Sequence, residues 1–471
     1  MSELSVFDFK GKRLHMVGIG GSSMSGLARM LATEGFSVSG SDSQEGYALE
    51  GLRKMGIRVY AGHHPEAVSD AGLLIYSAAI SPADPERLAA RDAGIHQMER
   101  AVLLGQLMRG YENTACVCGT HGKTTLSSML AQILLDLGRD PTVHIGGSLD
   151  RLGGGSRVGG RKYFVAEACE FNRSFLQMPP TLALITNIEA DHLDCYRDLD
   201  DIEAAFAQFV DRLPRNGLSI GLADDPRVMR VMEKSGRPYQ TMSLSGNADW
   251  TARDLRYDSA GCARFEACRK GVPAGRIELK VAGDFNALHA LTALAGAAAL
   301  GREPDAACRS VSEFIGVHRR FEFTGTVRGM RMYHDYGHNP AEMKSAVGVA
   351  AMQGRRVIAV MQPHTYSRVK GLFDDFLTCT RQAAITLVTD IFAAREADPG
   401  DLHSRMLVEA LRRAGIEAYL TPTFEDTEHW LLRHGREGDL VLTMGCGNIN
   451  LLNDLMQKHW DDKQSALEGE S

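Results

Sequence analysis

The sequence lacks long apolar runs. No stretch reaches the roughly 20 consecutive apolar residues that a membrane-spanning helix needs. The first residues, Met1 to Phe9, alternate polar and apolar side chains and hold no apolar core of a secretory signal. We therefore expect a cytoplasmic protein that does not insert into membranes.

Basic blocks and paired cysteines are also missing. The net charge is −7, so nucleic acids and anionic membrane surfaces are disfavoured as partners. The nine cysteines are scattered and none forms a C-x-x-C zinc pattern, which favours reduced thiols in a cytosolic enzyme. A chain of 471 residues is too long for one core, and two to four domains are expected.

The most informative segment of the sequence lies between a short apolar run, which predicts a strand, and a pattern that predicts a helix. It reads Gly119-Thr120-His121-Gly122-Lys123-Thr124-Thr125. In such a strand, glycine turn and helix start, backbone N–H groups and a lysine bind phosphate, and the Thr124 hydroxyl would reach Mg²⁺. The alternative is a glycine turn with an exposed lysine. The pattern predicts a nucleoside triphosphate site.

A second glycine turn lies near the N-terminus. It follows the apolar run Arg13 to Val17, precedes a helical pattern, and reads Gly18-Ile19-Gly20-Gly21. Asp42, about twenty residues on, matches the acid that binds ribose in dinucleotide folds, but Ser23 replaces the third glycine. Either a nucleotide-diphosphate site or a tight structural turn fits this pattern.

Two further apolar runs end in polar residues. The first ends at Glu167-Ala-Cys169-Glu170 and the second at Asn187-Ile-Glu-Ala-Asp-His192. The carboxyl ends of parallel strands are where α/β sheets bind ligands, and carboxylates there suit Mg²⁺. A single glutamate or histidine at such a position is more often an ordinary surface residue. Two such segments that follow a phosphate loop favour a Mg²⁺ site instead.

The rest of the chain repeats the strand, turn and helix rhythm. Residues 245–275 indicate hairpins or an insertion, and Asn286 then begins an alanine-rich helix as a cap or as an adenine contact. After residue 321, strands end at His334-Asp335-Tyr336, at Gln362-Pro363-His364 and at Gly445-Cys446-Gly447. These ends predict a crevice for a substrate.

Together these motifs resemble the Mur ligase family across nearly the whole chain. The resemblance rests on both glycine turns, the two carboxylate segments, Arg319-Arg320-Phe321, Asp335-Tyr-Gly-His-Asn-Pro340 and Gln362-Pro-His-Thr-Tyr-Ser-Arg368. His121 in the loop and the Gln-Pro-His segment favour the alanine-adding member over its sisters.

The resemblance implies an α/β fold of three domains. Residues 1–108 would form a Rossmann-like UDP-sugar domain, 109–320 a P-loop ATPase domain with a mostly parallel sheet, and 321–471 a Rossmann-like amino-acid domain. It also implies ligation of L-alanine to UDP-N-acetylmuramate through an acyl phosphate, with ATP and Mg²⁺, in a monomer or homodimer.

The family's site residues transfer to matching positions. The catalytic candidates are Lys123, Glu167, His192 and His338. Thr124, Glu167 and His192 would bind Mg²⁺. The ATP contacts would be Gly119, Thr120, His121, Gly122, Lys123, Thr124, Thr125, Asn286, Arg320 and Asp335. The substrate contacts would be Gly20, Gly21, Ser22, Ser23, Met24, Ser25, Ser41, Asp42, His63, Ser77, Tyr336, His364 and Arg368.

Four positions depart from the family pattern: Thr365 replaces an arginine, His289 and Asn339 replace an asparagine and a histidine, and Cys169 replaces an aspartate. Three other functions stay open. A sister ligase would add another amino acid or recycle a peptide, an NAD-dependent dehydrogenase would use only the first hundred residues, and a nucleotide-binding switch would use only the phosphate loop.

Overall fold

In the computed structural model of the chain, residues 4–192, 195–394 and 396–469 are described. They form three sheets with flanking helices, as the α/β prediction requires. The chain divides into two compact units. One holds the residues up to Arg256 with Arg264–Lys280 and Asp284–Phe314, and the other holds Tyr257–Ala263, Val281–Gly283 and Ile315 onward. No helix within the described ranges is long and apolar enough to cross a bilayer.

The first sheet has five parallel strands in the order β3-β2-β1-β4-β5. Its strands are β1 Arg13–Val17, β2 Ser37–Asp42, β3 Arg58–Ala61, β4 Ala71–Tyr76 and β5 His96–Glu99, and its helices are α1 Ser22–Thr33, α2 Tyr47–Lys54, α3 Pro85–Asp92 and α4 Arg100–Met108. The strand order reverses between β1 and β4, which is where ligands bind in open sheets of this type.

The second sheet has ten strands in the order β15-β14-β13-β12-β11-β10-β6-β9-β7-β8. The strands are β6 Asn113–Cys118, β7 Thr142–Leu149, β8 Gly154–Arg157, β9 Tyr163–Glu167, β10 Leu182–Ile185, β11 Leu218–Leu222, β12 Tyr239–Ser243, β13 Trp250–Tyr257, β14 Cys262–Arg269 and β15 Val272–Ala282. The helices are α5 Lys123–Asp136, α6 Leu199–Val210, α7 Pro226–Lys234, α8 Asp284–Ala299 and α9 Pro304–Ser312.

The central strands of this sheet, β6, β9, β10 and β11, run parallel. Almost every residue of β6 and β9 is buried, which is why these strands read as continuous apolar runs. The expected hairpins at 245–275 are confirmed as β13 to β15. The two-residue link Lys270-Gly271 has positive φ at both positions, the conformation that tight hairpin turns prefer.

The third sheet has six strands in the order β16-β17-β21-β18-β19-β20, with β16 antiparallel to β17. The strands are β16 Glu322–Val327, β17 Met330–Asp335, β18 Val357–Met361, β19 Ile385–Val388, β20 Ala418–Leu420 and β21 Leu440–Met444. The helices are α10 Pro340–Met352, α11 Tyr366–Gly371, α12 Phe373–Cys379, α13 Ser404–Arg413, α14 Phe424–His434 and α15 Asn450–Gly469.

Candidate active site

The predicted phosphate loop connects β6 to α5 and is fixed to the end of β10. The Thr120 N–H donates to the Asn187 carbonyl (3.0 Å), and the His121 N–H donates to Asn187 Oδ1 (2.9 Å). Gly119 and Gly122 have φ of 131° and 81°, and a Cβ on Gly122 would collide with the His289 ring. Glycine is therefore required at both positions. The first N–H groups of α5 have no partner within the helix and are directed toward the loop.

Lys123, the first residue of α5, points back into this loop. Its ammonium donates to the carbonyls of Gly119 (2.7 Å) and Thr120 (3.0 Å) and to both carboxylate oxygens of Glu170 (2.9 and 3.1 Å). Burial opposes the charge, but the Glu170 carboxylate outweighs it and raises the pKa of Lys123 above its ordinary value. The lysine is therefore a fixed positive charge at neutral pH.

Glu170 joins this lysine to the predicted histidine. The Glu170 side chain is 3% exposed, and its Oε1 lies 3.7 Å from His192 Nε2. The Glu170 carbonyl accepts a hydrogen bond from the Tyr196 hydroxyl (2.6 Å), and the Phe171 ring packs edge-on against His192. The structure thus brings together the phosphate loop and both segments that follow the strand ends.

Glu167 is also near enough to raise the pKa of Lys123, though it does so less than Glu170. As the last residue of β9, it accepts a hydrogen bond from the Gly146 N–H with its Oε1 (2.8 Å). The site residues predicted from the sequence include Glu167 but not Glu170. The strand ends at Glu167, and a turn carries the chain back so that Glu170 faces the lysine. A carboxylate just beyond a strand end was the available signal.

Three further ATP-contact candidates of this unit have buried side chains. Thr124 and Thr125 are 5% and 9% exposed, and Asn286 is 7% exposed. The cap interpretation of Asn286 is wrong, because α8 begins at Asp284 and Asn286 is its third residue.

Few protein side chains near the phosphate loop are available to bind a metal ion. Within the described ranges, no three or more histidine, cysteine, aspartate or glutamate side chains cluster as a metal site. Mg²⁺ at nucleotide sites usually takes one or two protein ligands and completes its shell with phosphate oxygens and water. The Thr124 hydroxyl and the carboxylate beside Lys123 are oxygen donors of that kind.

The second predicted site lies at the carboxyl edge of the first sheet. The Gly20 N–H donates to Asp42 Oδ2 (2.9 Å), and a Cβ on Gly20 would lie 2.9 Å from the same atom. Gly21 and Ser22 are exposed, whereas the Met24 and Ser25 side chains are buried. Asp42 therefore holds the glycine turn in place at the start of α1, and the Gly21 N–H closes the turn by donating to the Gly18 carbonyl (3.2 Å).

Ser41, predicted to contact the sugar nucleotide, uses its hydroxyl inside the protein. It donates to Glu86 Oε2 (2.6 Å), which also lies 2.9 Å from His15 Nε2, while Glu86 Oε1 accepts from the His64 N–H (2.7 Å). Although burial alone would raise the pKa of Glu86, His15, Ser41 and the His64 N–H together lower it.

Two other candidates of this group differ in exposure. The His63 side chain is 55% exposed, with Nδ1 3.3 Å from Asp84 Oδ2. Ser77 follows β4 and is half-buried.

Replacing the fully buried Glu86 by alanine is expected to lower the free energy of unfolding by about 3 kcal/mol, because His15, the Ser41 hydroxyl and the His64 N–H all lose their partner. The His64 loop should also loosen, which would weaken sugar-nucleotide binding. Denaturant unfolding measures the first effect and calorimetric titration the second. Glu50→Ala, on the exposed face of α2, is the control. Unchanged stability in Glu86→Ala would contradict this role.

The second unit carries the remaining candidates. Asp335 ends β17 and accepts from the N–H groups of Phe321 (2.8 Å) and Gly337 (2.7 Å). Burial raises its pKa, while Arg320 and these N–H groups oppose the rise. The guanidinium groups of Arg319 and Arg320 lie 4.8 and 5.2 Å from the centre of the Tyr336 ring.

His338, His364 and Arg368 form one group in this unit. The His338 and His364 rings are 5.7 Å apart, and Arg368 Nη1 donates to His364 Nδ1 (3.0 Å). Phe392, which sequence analysis missed, stacks on His364 at 5.7 Å. A backbone bridge between His364 and Phe392 holds this arrangement, because the Thr365 N–H donates to the Phe392 carbonyl (2.9 Å).

One of the departures has a local explanation. Asn339 caps α10, accepting from the Glu342 N–H, so asparagine suits this position. Thr365 has φ of 62°, which a β-branched residue rarely adopts, and it precedes α11 without a side-chain cap. Arg368 is thus the cation that the α11 segment places beside His364.

His364 is expected to remain neutral through the physiological range. Burial, followed by the charges of His338 and Arg368, lowers its pKa to about 4. Its Nδ1 must be unprotonated to accept from Arg368, so this hydrogen bond is kept above the ordinary histidine pKa and lost as the pH falls toward 4. NMR titration of labelled histidine tests this, with the exposed His403 as internal reference. A His364 midpoint near 6.5 would contradict it.

Comparison with known proteins identifies the family of the chain. Three family models match: "Mur ligase family, catalytic domain" at residues 13–112, "Mur ligase middle domain" at 117–297, and "Mur ligase, glutamate ligase domain" at 319–447.

Curated relatives match over nearly their full length. UDP-N-acetylmuramate–L-alanine ligase of Acetivibrio thermocellus is 42% identical, covering 98% of this chain and 99% of the relative. The protein of the same name from Caldanaerobacter subterraneus is 40% identical over 93% and 96%. The crystal structure of UDP-N-acetylmuramate-alanine ligase from Thermotoga maritima is similar with a TM-score of 0.82 and 26% identity, covering 96% of this chain and all of that one. The chain belongs to the Mur ligase family.

Proposed function

We propose that this chain is an ATP-dependent ligase that joins L-alanine to the lactyl carboxylate of UDP-N-acetylmuramate, a step in peptidoglycan biosynthesis. The observation that carries the proposal is the buried contact of Lys123 with Glu170 at the phosphate loop. The names of the full-length relatives support the choice of substrates. The enzyme is expected in the cytoplasm, as a monomer or homodimer.

The reaction has two steps. A carboxylate oxygen of the sugar nucleotide attacks the γ-phosphorus of ATP, the bond to the β–γ bridging oxygen breaks, and ADP leaves. The resulting acyl phosphate is then attacked at its carbonyl carbon by the amine of L-alanine. The amine loses a proton and inorganic phosphate leaves, which gives the amide.

Lys123 makes the first step possible. The carboxylate and the triphosphate are both anions and repel each other, and phosphoryl transfer depends mainly on positioning and charge neutralisation. The lysine ammonium already stands in the loop, so no reorganisation is needed when charge develops on the transferred group. The N–H groups at the start of α5 would bind the β- and γ-phosphates.

Mg²⁺ fits the donors around this loop. Thr124 and the carboxylate segment of Glu167 and Glu170, with His192 beside it, would hold the ion, and we favour Glu170 because it is the carboxylate beside Lys123. When bound, the ion would neutralise phosphate oxygens.

The amino-acid subsite is proposed around Arg368. A guanidinium can bind both oxygens of an α-carboxylate, and the neutral His364 orients it. Tyr336, His338 and Phe392 would border the amino acid, with His338 near its amine. Arg320 and Asp335 would contact the nucleotide. The proposed division at 1–108, 109–320 and 321–471 assigns one substrate to each region.

The test is phosphate release from Mg-ATP with UDP-N-acetylmuramate and each amino acid in turn. Release that needs both the sugar nucleotide and L-alanine supports the proposal. Release with only another amino acid or a peptide would indicate a sister ligase. No release despite ATP binding would favour a nucleotide switch.

A further inference from the structure

Arg100 has no role in the site described so far. It is the first residue of α4 and is half-buried at the point where this helix meets the glycine turn. Its Nη1 donates to the Ser23 hydroxyl (2.9 Å). Over the described parts of the chain, Arg100 forms no ion pair with a carboxylate. A guanidinium has five N–H donors, so most of the hydrogen bonds that Arg100 can donate are not made within the described residues.

Ser23 also contacts the neighbouring sheet. His144, on β7, has its Nε2 2.8 Å from the Ser23 hydroxyl. Burial and then the Arg100 charge lower the pKa of His144 to about 3, so the imidazole is neutral. In the part of the chain that the structure covers, His144 Nδ1 has no hydrogen-bond partner.

These contacts assign the protons. A buried N–H without an acceptor is costlier than a buried nitrogen lone pair, so the His144 proton belongs on Nε2, which donates to Ser23. Arginine can only donate, so the Ser23 oxygen accepts twice. The Ser23 proton is then free to be donated outward. Arg100 and Ser23 together present several donors and a positive charge.

The position of Ser23 in the fold indicates the ligand. Ser23 lies in the first turn of α1, beside the exposed Gly21 and Ser22. Arg100 and Ser23 therefore lie at the glycine turn, where the sugar nucleotide is proposed to bind.

We propose that Arg100, together with the Ser23 hydroxyl, binds an anionic group of the sugar nucleotide. This inference rests on the proposed function and adds a substrate-binding residue to it. A partly buried guanidinium without an acidic partner favours the binding of an anion, which neutralises its charge and accepts its hydrogen bonds. Either the diphosphate or the lactyl carboxylate of the sugar nucleotide is such an anion. His144 acts as a positioning residue, because it orients Ser23 without facing the ligand.

The test compares three probes by calorimetric titration: UDP, UDP-N-acetylglucosamine, which lacks the lactyl group, and UDP-N-acetylmuramate. Arg100→Met is expected to weaken binding roughly 10- to 100-fold, because a charged hydrogen bond is lost. The KM for the sugar nucleotide should rise while the KM for ATP stays unchanged. Arg91→Met, which removes an exposed arginine from α3, is the matched control.

Two patterns support the inference. Weaker binding of all three probes would assign Arg100 to the diphosphate, and weaker binding of UDP-N-acetylmuramate alone would assign it to the carboxylate. Equal affinities of Arg100→Met and wild type would overturn it while leaving the proposed function intact. If wild type bound none of the probes, the proposed function would fail and this inference with it.

A second variant distinguishes a loss of binding from a folding defect. Arg100→Lys keeps the charge but not the planar fork of donors, so it should bind more tightly than Arg100→Met and more weakly than wild type. Should the methionine variant not fold, a lysine variant with the affinity of wild type would overturn the inference. Ser23→Ala should show a smaller loss for the same probe.

Discussion

Replacing Lys123 by alanine is expected to reduce kcat for amide formation at least about 100- to 1000-fold, the loss typical when a preorganised charge partner is removed. The lysine stands within hydrogen-bond distance of two loop carbonyls and of Glu170. Without it, the carboxylate and the γ-phosphate would meet without a positive side chain between them. Phosphate release under saturating substrates measures the effect.

The stability of this variant separates chemistry from folding. Removing Lys123 leaves the buried Glu170 carboxylate without its main partner, so some loss of unfolding free energy is also expected. ADP binding and the thermal midpoint are therefore measured alongside. Lys234→Ala, on the exposed side of α7, is the control. A Lys123→Ala enzyme that turns over like wild type would contradict the mechanism.

Glu170→Gln is expected to reduce kcat far more than Glu167→Gln does. Glu170 contacts the lysine and lies 3.7 Å from His192, so the amide removes the negative charge that faces Lys123. We expect a loss on the order of 100-fold or more for Glu170→Gln, comparable to the loss of other charge partners. Glu167 accepts a backbone N–H at the strand end, and its amide can still accept through oxygen.

Steady-state kinetics of both variants across Mg²⁺ concentrations gives the comparison. The account predicts that excess Mg²⁺ partly restores Glu170→Gln, since the ion would be held less tightly. A larger loss in Glu167→Gln than in Glu170→Gln would return the metal role to Glu167. Because both substitutions conserve volume, packing changes should not dominate either result.

Local patterns predicted much of the fold. Strands such as β6 and β18 were identified because they are buried on both faces and read as continuous apolar runs. The carboxyl ends of parallel strands lie at the same edge of a sheet. The proximity of His192 to the phosphate-loop region was therefore predictable from the positions of the strands alone.

Details that depend on the path of a turn were not predictable. The choice between Glu167 and Glu170 is made by the backbone after β9, where Asn172 and Arg173 adopt positive φ. The Ser41 hydroxyl is taken by Glu86, which is 45 residues away in the chain. Arg100 lies 77 residues from Ser23, and no local spacing connects them. Such contacts are set by tertiary packing, which periodicity does not report.

The measurement that tests the central claim most directly uses UDP-N-acetylmuramate labelled with ¹⁸O in its lactyl carboxylate. The enzyme is supplied with Mg-ATP and L-alanine, and the released phosphate is analysed by mass spectrometry. The account predicts that each phosphate carries one labelled oxygen, since the carboxylate oxygen that attacked the γ-phosphorus leaves with it. Phosphate without label would contradict an acyl phosphate and with it the proposed roles of Lys123 and Glu170.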